Sequence, residues 1–226
     1  GDYIAYRLSG HLSTSISGLS EQILWDFKED RRADFVADWY GIPHAVIPEA
    51  GPSIGVQCET DAATERLLGI PAGTPISYRA GDQPNNAFSL NVLEAGEVAA
   101  TGGTSGVVYG VTDLPKADPQ SRVNTFVHVN HTPGKPRYGI LLCINGTGIM
   151  NSWMRRNVTQ QTLDYGAMNR LAECAPVGSE GVLVLPFGNG AERVLGNRTT
   201  GAAILNLDLN RHTTAHLLRA AQEGIA

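Results

Sequence analysis

The stretch from Arg79 to Val111 has the sequence R-A-G-D-Q-P-N-N-A-F-S-L-N-V-L-E-A-G-E-V-A-A-T-G-G-T-S-G-V-V-Y-G-V. The interpretation of the whole chain starts from this stretch. Its first part predicts a short buried strand over residues 76–80 and a short helix over 86–93. Asp82 therefore lies where a strand stops, so its carboxylate can point into a cleft. The second part predicts a hairpin, because β-branched or aromatic runs at 98–101 and 106–111 flank a Gly-Gly-Thr-Ser turn.

These two halves suggest a chemistry when they are taken together. A turn with two glycines can present several backbone N–H groups to one anion, and Thr104 and Ser105 add hydroxyl donors. A lone acid such as Asp82 can accept the proton of a hydroxyl group, which is what phosphoryl transfer to that hydroxyl requires. Taken separately, Gly-Asp-Gln and Gly-Gly-Thr-Ser are each more often ordinary turns.

The combination resembles the FGGY family of carbohydrate kinases, and within it the xylulose kinases most of all. The matching residues are Gly81-Asp82-Gln83 and, about two dozen positions later, Gly103-Thr104-Ser105-Gly106. The segment 1–27 is similar to the family's Asp-Tyr…Leu-(Thr/Ser)-Gly region. The segment 198–226 resembles the second family pattern, a glycine and an apolar strand followed by His-Thr and Arg-Ala-x-x-Glu-Gly. The resemblance covers nearly the whole chain in the right order.

Alternating helices and strands predict an α/β class, and the resemblance implies an actin-like ATPase fold with two ribonuclease H-like domains, both partial here. We expect residues 1–95 to form the C-terminal part of the first, sugar-binding domain. Residues 96–226 would form the N-terminal part of the second, nucleotide-binding domain. The first phosphate loop, the early sugar contacts and the adenosine motif of the family are absent from this sequence. We therefore expect an internal fragment that is inactive by itself.

The resemblance also implies roles for individual residues. Asp82 would be the general base, although it could instead cap its own turn. Gln83 would bind the sugar or simply start a helix. Five residues would contact the nucleotide: Gly103, Thr104, Ser105, Gly148 and Ser152. For Gly148 the alternative is a glycine that allows close packing. The cofactors would be ATP and Mg²⁺, with the metal held mainly through the nucleotide phosphates.

The implied reaction is ATP-dependent phosphorylation of a sugar hydroxyl, with D-xylulose giving D-xylulose 5-phosphate in xylose metabolism as the favoured case. Glycerol, gluconate or ribulose are alternatives within the family. Asn85, Asn86 and the Ser89-Leu90-Asn91 run depart from the family's usual sequence after Asp-Gln, which leaves the sugar-facing details open. The alternative to an enzyme is a non-catalytic actin-like module that binds nucleotide or a partner.

Composition narrows the classes of partner. A net charge of −5 with no basic stripe argues against nucleic-acid binding. No apolar run approaches the roughly 18 residues of a membrane span. Three scattered cysteines indicate a reducing compartment, so we expect a cytoplasmic protein with a small-molecule sugar substrate, and a homodimer is left open. The pair Arg155-Arg156 is interpreted as a solvated helix face.

Two further groups of residues are assigned structural roles. His128 and His131 have the spacing of a metal pair but lack a third ligand, so core or surface roles are favoured. Glu192-Arg193 resembles a Gly-Glu-Arg segment of the family and is interpreted as an ion-paired loop at the domain interface.

The remaining pattern predicts elements along the chain. Helices are expected over residues 32–40, over 61–68 with Thr60 as cap, over 160–174, and after an Asn210 cap. The longest helical candidate is 138–157, interrupted by Gly146 and Gly148 so that it could begin only near 149. Strands are expected over 123–129, 182–185 and 203–207.

Overall fold

A computed structural model describes all 226 residues, which group into two compact units. The first unit comprises Gly1–Ala99, Tyr109–Ala117 and Asn124–Leu141. The second comprises Ala100–Val108, Asp118–Val123 and Leu142–Ala226. The domain boundary expected near residue 95 stays a prediction, because these units follow spatial proximity and both are discontinuous in sequence.

The elements before residue 90 alternate short helices and short strands. In chain order they are α1 (Asp2–Ser9), β1 (Ser13–Ser15), α2 (Ile16–Glu21), β2 (Trp25–Asp26), β3 (Arg31–Arg32), α3 (Asp34–Tyr40), β4 (Glu49–Gly51), β5 (Ile54–Glu59), α4 (Ala62–Leu68), β6 (Pro75–Tyr78) and α5 (Asp82–Ser89). Strands β1 and β4 pair in parallel, whereas β2 pairs with β3 and β5 with β6 in antiparallel fashion.

A four-stranded sheet follows, with the strand order β7-β8-β10-β9. Its strands are β7 (Val98–Gly102), β8 (Gly106–Thr112), β9 (Asn124–Val127) and β10 (Tyr138–Ile144). Strands β9 and β10 are antiparallel, with Tyr138 opposite Val127. The hairpin predicted around the Gly-Gly-Thr-Ser turn is confirmed by β7 and β8.

The C-terminal elements combine helices with two small antiparallel sheets. They are α6 (Gly148–Trp153), which continues as a π-helical turn over Met154–Val158, α7 (Tyr165–Ala172), β11 (Leu183–Leu185), β12 (Ala191–Glu192), β13 (Arg198–Thr199), β14 (Ala203–Leu205) and α8 (Thr214–Ile225). Strand β11 pairs with β14, and β12 with β13. No helix has both the length and the apolar character needed to cross a bilayer.

Each unit has an apolar core of its own. In the first unit, Leu19 of α2 packs with Ala37 and Ile47. In the second unit the core joins α6, α7, β11 and α8 through buried side chains: Met150, Met154, Met168, Ala172, Val182, Val184, Leu218, Ala220 and Ala221. Helix α8 approaches β11 so closely that a Cβ on Gly224 would lie 2.2 Å from the Val184 carbonyl oxygen.

Four sequence-based expectations about elements need correction. The long helix over 138–157 is wrong, because residues 138–144 form strand β10. The alternative start near residue 149 is confirmed, since α6 begins at Gly148. The short helix expected from Asn86 begins four residues earlier, at Asp82. The cap of α4 is Asp61, whose carboxylate accepts the Thr64 N–H, and the cap of α8 is Thr213.

Candidate functional site

The first unit contains a polar cavity of about 840 Å³ next to the start of α5. Side chains with carboxyl, amide and hydroxyl groups line it, among them Asp82, Asn85, Glu21, Gln22 and Ser15. Such a lining offers both donors and acceptors, which is what a polyhydroxyl ligand requires.

Asp82 is the first residue of α5 and is exposed at this cavity. Gly81 precedes it as the N-cap and provides no side-chain cap. The N–H groups of the first turn are satisfied by a residue 61 positions earlier: the Glu21 carboxylate accepts the Asp82 N–H at 2.9 Å and the Gln83 N–H at 3.0 Å. The Asp82 carboxylate accepts no N–H or hydroxyl of the chain, but it lies beside the Glu21 carboxylate, whose pKa it raises.

Glu21 lies at the end of α2 and is half-buried. Burial is the main reason why the pKa of Glu21 is raised above its ordinary value. The N–H of Gln83 opposes this rise, and the nearby charge of Asp82 adds to it. No local sequence pattern indicates Glu21, because a carboxylate that caps a helix from another element lies far from that helix in the chain.

Gln83 and Asn85 occupy different positions in the first turns of α5. Gln83 is half-buried, and its backbone N–H is bound to Glu21. Asn85 lines the cavity beside Asp82, and its Oδ1 accepts a hydrogen bond from the Tyr78 hydroxyl at 2.7 Å. Asn85 thus faces the same space as Asp82, although the sequence marked it only as a departure from the family pattern.

Buried Arg79 holds together the segments beneath this cavity. Its guanidinium donates to the carbonyl and hydroxyl oxygens of Ser13 at 2.8 and 2.7 Å and to Gln57 at 2.5 Å. It also forms an ion pair with Asp2 at 3.2 Å. The guanidinium is therefore occupied by structural partners.

The second unit contains a separate cavity of about 460 Å³ around the hairpin turn. Four of the predicted nucleotide-contacting residues line it: Gly103, Thr104, Gly148 and Ser152. Ser105, the fifth, is half-buried and shapes the turn by accepting the Gly103 N–H with its carbonyl oxygen at 3.0 Å.

The turn rests on the start of α6 through backbone contacts. The N–H groups of Gly148 and Ile149 donate to the carbonyl oxygens of Gly103 and Thr104, each at 3.1 Å. A Cβ on Gly148 would lie only 2.1 Å from the Gly103 oxygen, so this position admits no side chain without movement of the turn. The close-packing alternative for Gly148 is thus present in the structure, and its contact with a nucleotide stays a prediction.

The outer side of the turn is open. Gly103 and Thr104 are exposed, a Cβ on Gly102 would meet nothing within 4 Å, and one on Gly103 would first meet the Ser105 oxygen at 3.6 Å. Neither Gly102 nor Gly103 has a positive φ. Glycine here leaves space above the turn, and its backbone conformation is one that other residues adopt easily.

Arg156 supplies a positive charge to this second cavity. It is exposed, as the sequence suggested, and its guanidinium donates to the Ser152 hydroxyl at 2.6 Å. Arg155 differs, because it is half-buried, donates to the Leu163 carbonyl at 3.1 Å and lies over the Tyr165 ring. Only the second arginine of the pair is therefore available to an anion in this cavity.

The Glu192-Arg193 segment makes local structural contacts. Glu192 is fully buried and accepts the Asn145 N–H, while Arg193 donates to the Ser121 carbonyl. These contacts are structural, but the expected ion pairing of the loop is wrong, because both residues bind backbone groups and neither forms an ion pair. The residues of the chain provide no group of three or more His, Cys, Asp or Glu that could hold a metal ion.

The histidine pair has structural contacts. His128 is fully buried, with Nδ1 3.0 Å from the Tyr109 hydroxyl and Nε2 3.0 Å from the Val92 carbonyl. Burial lowers the pKa of His128, so the neutral ring donates through Nε2 and accepts from Tyr109. His131 lies 3.1 Å from an oxygen of Asp30. Both histidines therefore belong to the packing of the first unit.

Comparison with curated proteins identifies several named kinases as relatives. The chain is 29% identical to a xylulose kinase of Haemophilus influenzae, over 99% of this chain and 44% of that protein. It is 27% identical to a gluconokinase of Bacillus licheniformis, over 70% of this chain and 32% of that protein. It is 28% identical to a glycerol kinase of Thermococcus kodakarensis, over 99% of this chain and 43% of that protein. No protein-family model matches the chain.

Solved structures of sugar kinases have the same fold. A gluconate kinase of Lactobacillus acidophilus matches 99% of this chain and 44% of its own, with a TM-score of 0.89 and 23% identity. A xylulose kinase of Rhodospirillum rubrum matches equally large shares, with a TM-score of 0.85 and 26% identity. A glycerol kinase of Plasmodium falciparum, solved with ADP, covers 99% of this chain and 44% of its own with a TM-score of 0.82 and 17% identity.

The fold is therefore that of the actin-like ATPases, present here in part. Within that class the chain is similar to sugar kinases, and its similarity to xylulose kinases extends over nearly its full length. The chain spans less than half the length of the curated relatives that it matches.

Proposed function

We propose that the protein carrying this chain is an ATP-dependent sugar kinase, with Asp82 as the general base. The observation that supports this proposal best is the state of Asp82 at the polar cavity. Its carboxylate is exposed, and the N–H groups that it could otherwise cap are bound to Glu21. An unoccupied acceptor among hydroxyl-binding groups suits proton abstraction from a sugar hydroxyl.

In this proposal ATP supplies the phosphoryl group. As the sugar oxygen forms its bond to the transferred phosphorus, Asp82 accepts the proton of that hydroxyl, and ADP leaves. The chain's own contribution is thus orientation of the hydroxyl and uptake of one proton. Asn85 is placed to donate its amide to a neighbouring hydroxyl of the same sugar.

The second cavity fits the phosphates of the nucleotide. The open side of the Gly103-Thr104 turn leaves space for an anion, and Arg156 adds a positive charge. We propose that Gly103, Thr104 and Arg156 contact phosphate, whereas Ser105 and Gly148 maintain the shape of the turn. Mg²⁺ would be held mainly through the phosphates.

D-Xylulose is the substrate that we favour, with D-xylulose 5-phosphate as product. The support is the similarity to xylulose kinases over nearly the whole chain. Relatives named gluconokinase and glycerol kinase show comparable identity, so the sugar itself needs a direct measurement. Cytoplasmic location and a homodimer remain expectations of the same kind.

A substrate panel tests this function. The full-length protein is assayed for ADP release with Mg-ATP and D-xylulose, D-ribulose, glycerol or D-gluconate, each at matched concentrations. We expect sugar-dependent release, fastest with D-xylulose. Nucleotide binding without release for any sugar would favour the alternative of a non-catalytic nucleotide-binding module.

A further inference from the structure

Glu21 takes over a structural task that an acid at the start of a helix usually performs for itself. The first N–H groups of a helix lack partners within the helix, and the negative charge of an acid in the first turn is attracted to them. At α5 both accessible donors, the N–H groups of Asp82 and Gln83, are bound to Glu21 instead. The Asp82 carboxylate consequently accepts none of these N–H groups, and its neighbour is the Glu21 carboxylate itself.

The position of Glu21 is fixed from both sides. Its neighbour Ser20 is buried, and the Ser20 hydroxyl accepts the Val127 N–H of β9 at 2.9 Å. On the other side Gly81 is buried, and a Cβ there would lie 2.1 Å from the carboxyl carbon of Glu21. The absence of a side chain at Gly81 is therefore what allows the carboxylate to reach the start of α5.

We propose that Glu21 is a positioning residue for Asp82. The Glu21 carboxylate caps α5 in place of Asp82 and so keeps the Asp82 carboxylate available for the substrate hydroxyl. This inference rests on the proposed function, since it assigns a role relative to the base. Without the Glu21 carboxylate, Asp82 is expected to turn toward the N–H groups of its own helix. The base would then be occupied by a structural hydrogen bond, while the cavity would keep its other lining residues.

The chain offers a matched control for the structural part of this role. The Glu97 carboxylate also accepts two successive backbone N–H groups, those of Leu93 and Glu94, at 2.7 and 2.8 Å. Glu97 is exposed and lies outside both cavities. Replacing Glu97 thus removes the same kind of contact without a neighbouring base.

The experiment compares Glu21→Ala, Glu21→Gln and Glu97→Gln in the full-length protein, with Asp82→Ala in parallel. For Glu21→Ala we expect kcat to fall roughly 10-fold or more, the scale of a misplaced catalytic group, with the sugar KM changed less than about threefold. Glu21→Gln retains one acceptor oxygen and should keep an intermediate kcat. Glu97→Gln should leave kcat unchanged, and the melting temperatures of the two Gln variants measure the structural cost of each altered contact.

A crystal structure of Glu21→Ala provides a readout that does not depend on turnover. We expect the Asp82 carboxylate to accept an N–H from its own first turn. Normal kcat in both Glu21 variants, while Asp82→Ala is impaired, would overturn the positioning role alone. Normal turnover in Asp82→Ala would overturn the base assignment and the positioning role together. If Glu21→Ala does not fold, Glu21→Gln carries the same comparison.

Discussion

The cavity beside α5 and the turn above α6 are assembled from different parts of the polypeptide. At the first, side chains provide the functional groups, and a carboxylate from α2 binds the exposed start of a helix. At the second, backbone carbonyls of the turn bind the helix start, and small residues keep the surface open. Substitutions should therefore remove chemistry at the first region and disturb packing at the second.

The largest effect is expected from Asp82→Ala. Loss of the general base should lower kcat by roughly 10² or more, while nucleotide affinity is retained. The free energy of unfolding should change by less than about 0.5 kcal/mol, because the side chain is exposed and unpaired. Steady-state kinetics, calorimetric titration with Mg-ATP and urea unfolding measure the three quantities. Near-normal turnover would rule out the assignment.

The paired variants Gly148→Ala and Gly103→Ala test the second region. At Gly148 the added methyl would approach a backbone oxygen to 2.1 Å, so we expect a loss of about 1–3 kcal/mol in unfolding free energy. At Gly103 the nearest atom is 3.6 Å away, so stability should be retained while ATP binds more weakly. Equal stability of the two variants would contradict the packing described for Gly148. Unchanged ATP affinity in Gly103→Ala would contradict the phosphate contact.

Arg156→Ala should have a smaller effect on nucleotide binding. An exposed charge contributes about 0.2–1 kcal/mol, which corresponds to at most about a fivefold rise in the Kd for ATP. The difference should shrink at high salt, because the charge is solvated. Arg211→Ala is the control, since Arg211 is exposed in the same unit and pairs with Glu180 outside the cavity. A salt-independent loss would indicate that Arg156 acts through packing.

The smallest effect is expected in the pH dependence of stability. In the first unit, the pKa of Glu94 is lowered and the pKa of Glu21 is raised. Hydrogen bonds from Lys135 and Arg137 lower the pKa of Glu94 from its ordinary value of 4.5 to about 2. Its contribution to stability is therefore present above pH 4.5 and is lost as the pH falls toward 2. Burial raises the pKa of Glu21, so ionisation of that group costs stability as the pH rises above 4.5.

Urea unfolding of Glu94→Gln at several pH values measures the first of these effects. The variant should be less stable than the unmodified protein near pH 7, and the difference should disappear near pH 2. Asp113→Asn, which removes an exposed carboxyl that has no ion pair, is the control variant. A constant difference across the whole range would mean that the Glu94 contacts stabilise through packing.

Sequence reasoning succeeded where the determining contacts are local. Turn chemistry between β-branched runs predicted the hairpin of β7 and β8, and the periodic Leu217, Leu218 and Ala221 predicted α8. The segment 138–144 was mistaken for helix because a short apolar run has no decisive period, and pairing with β9 determined its conformation.

The candidate site was only partly accessible to the same reasoning. Asp82 could be selected because it follows a strand, but the start of α5 at that residue depends on Glu21, far away in sequence. Arg156 looked like an ordinary solvated residue, since its place beside Gly103 and Thr104 follows from the docking of the turn on α6. Neither relationship leaves a pattern within a sequence window.

The tight fit of Gly81 against Glu21 has a consequence for sequence divergence among homologues. A Cβ at position 81 would displace the end of the flexible Glu21 side chain from the start of α5, so we expect the two sites to vary as a coupled pair. Homologues in which the acid caps this helix should favour glycine at position 81, whereas a shorter side chain at position 21 would leave room for alanine there. Joint variation of the two columns would then reveal, in sequences without structures, which homologues cap this helix from a distance.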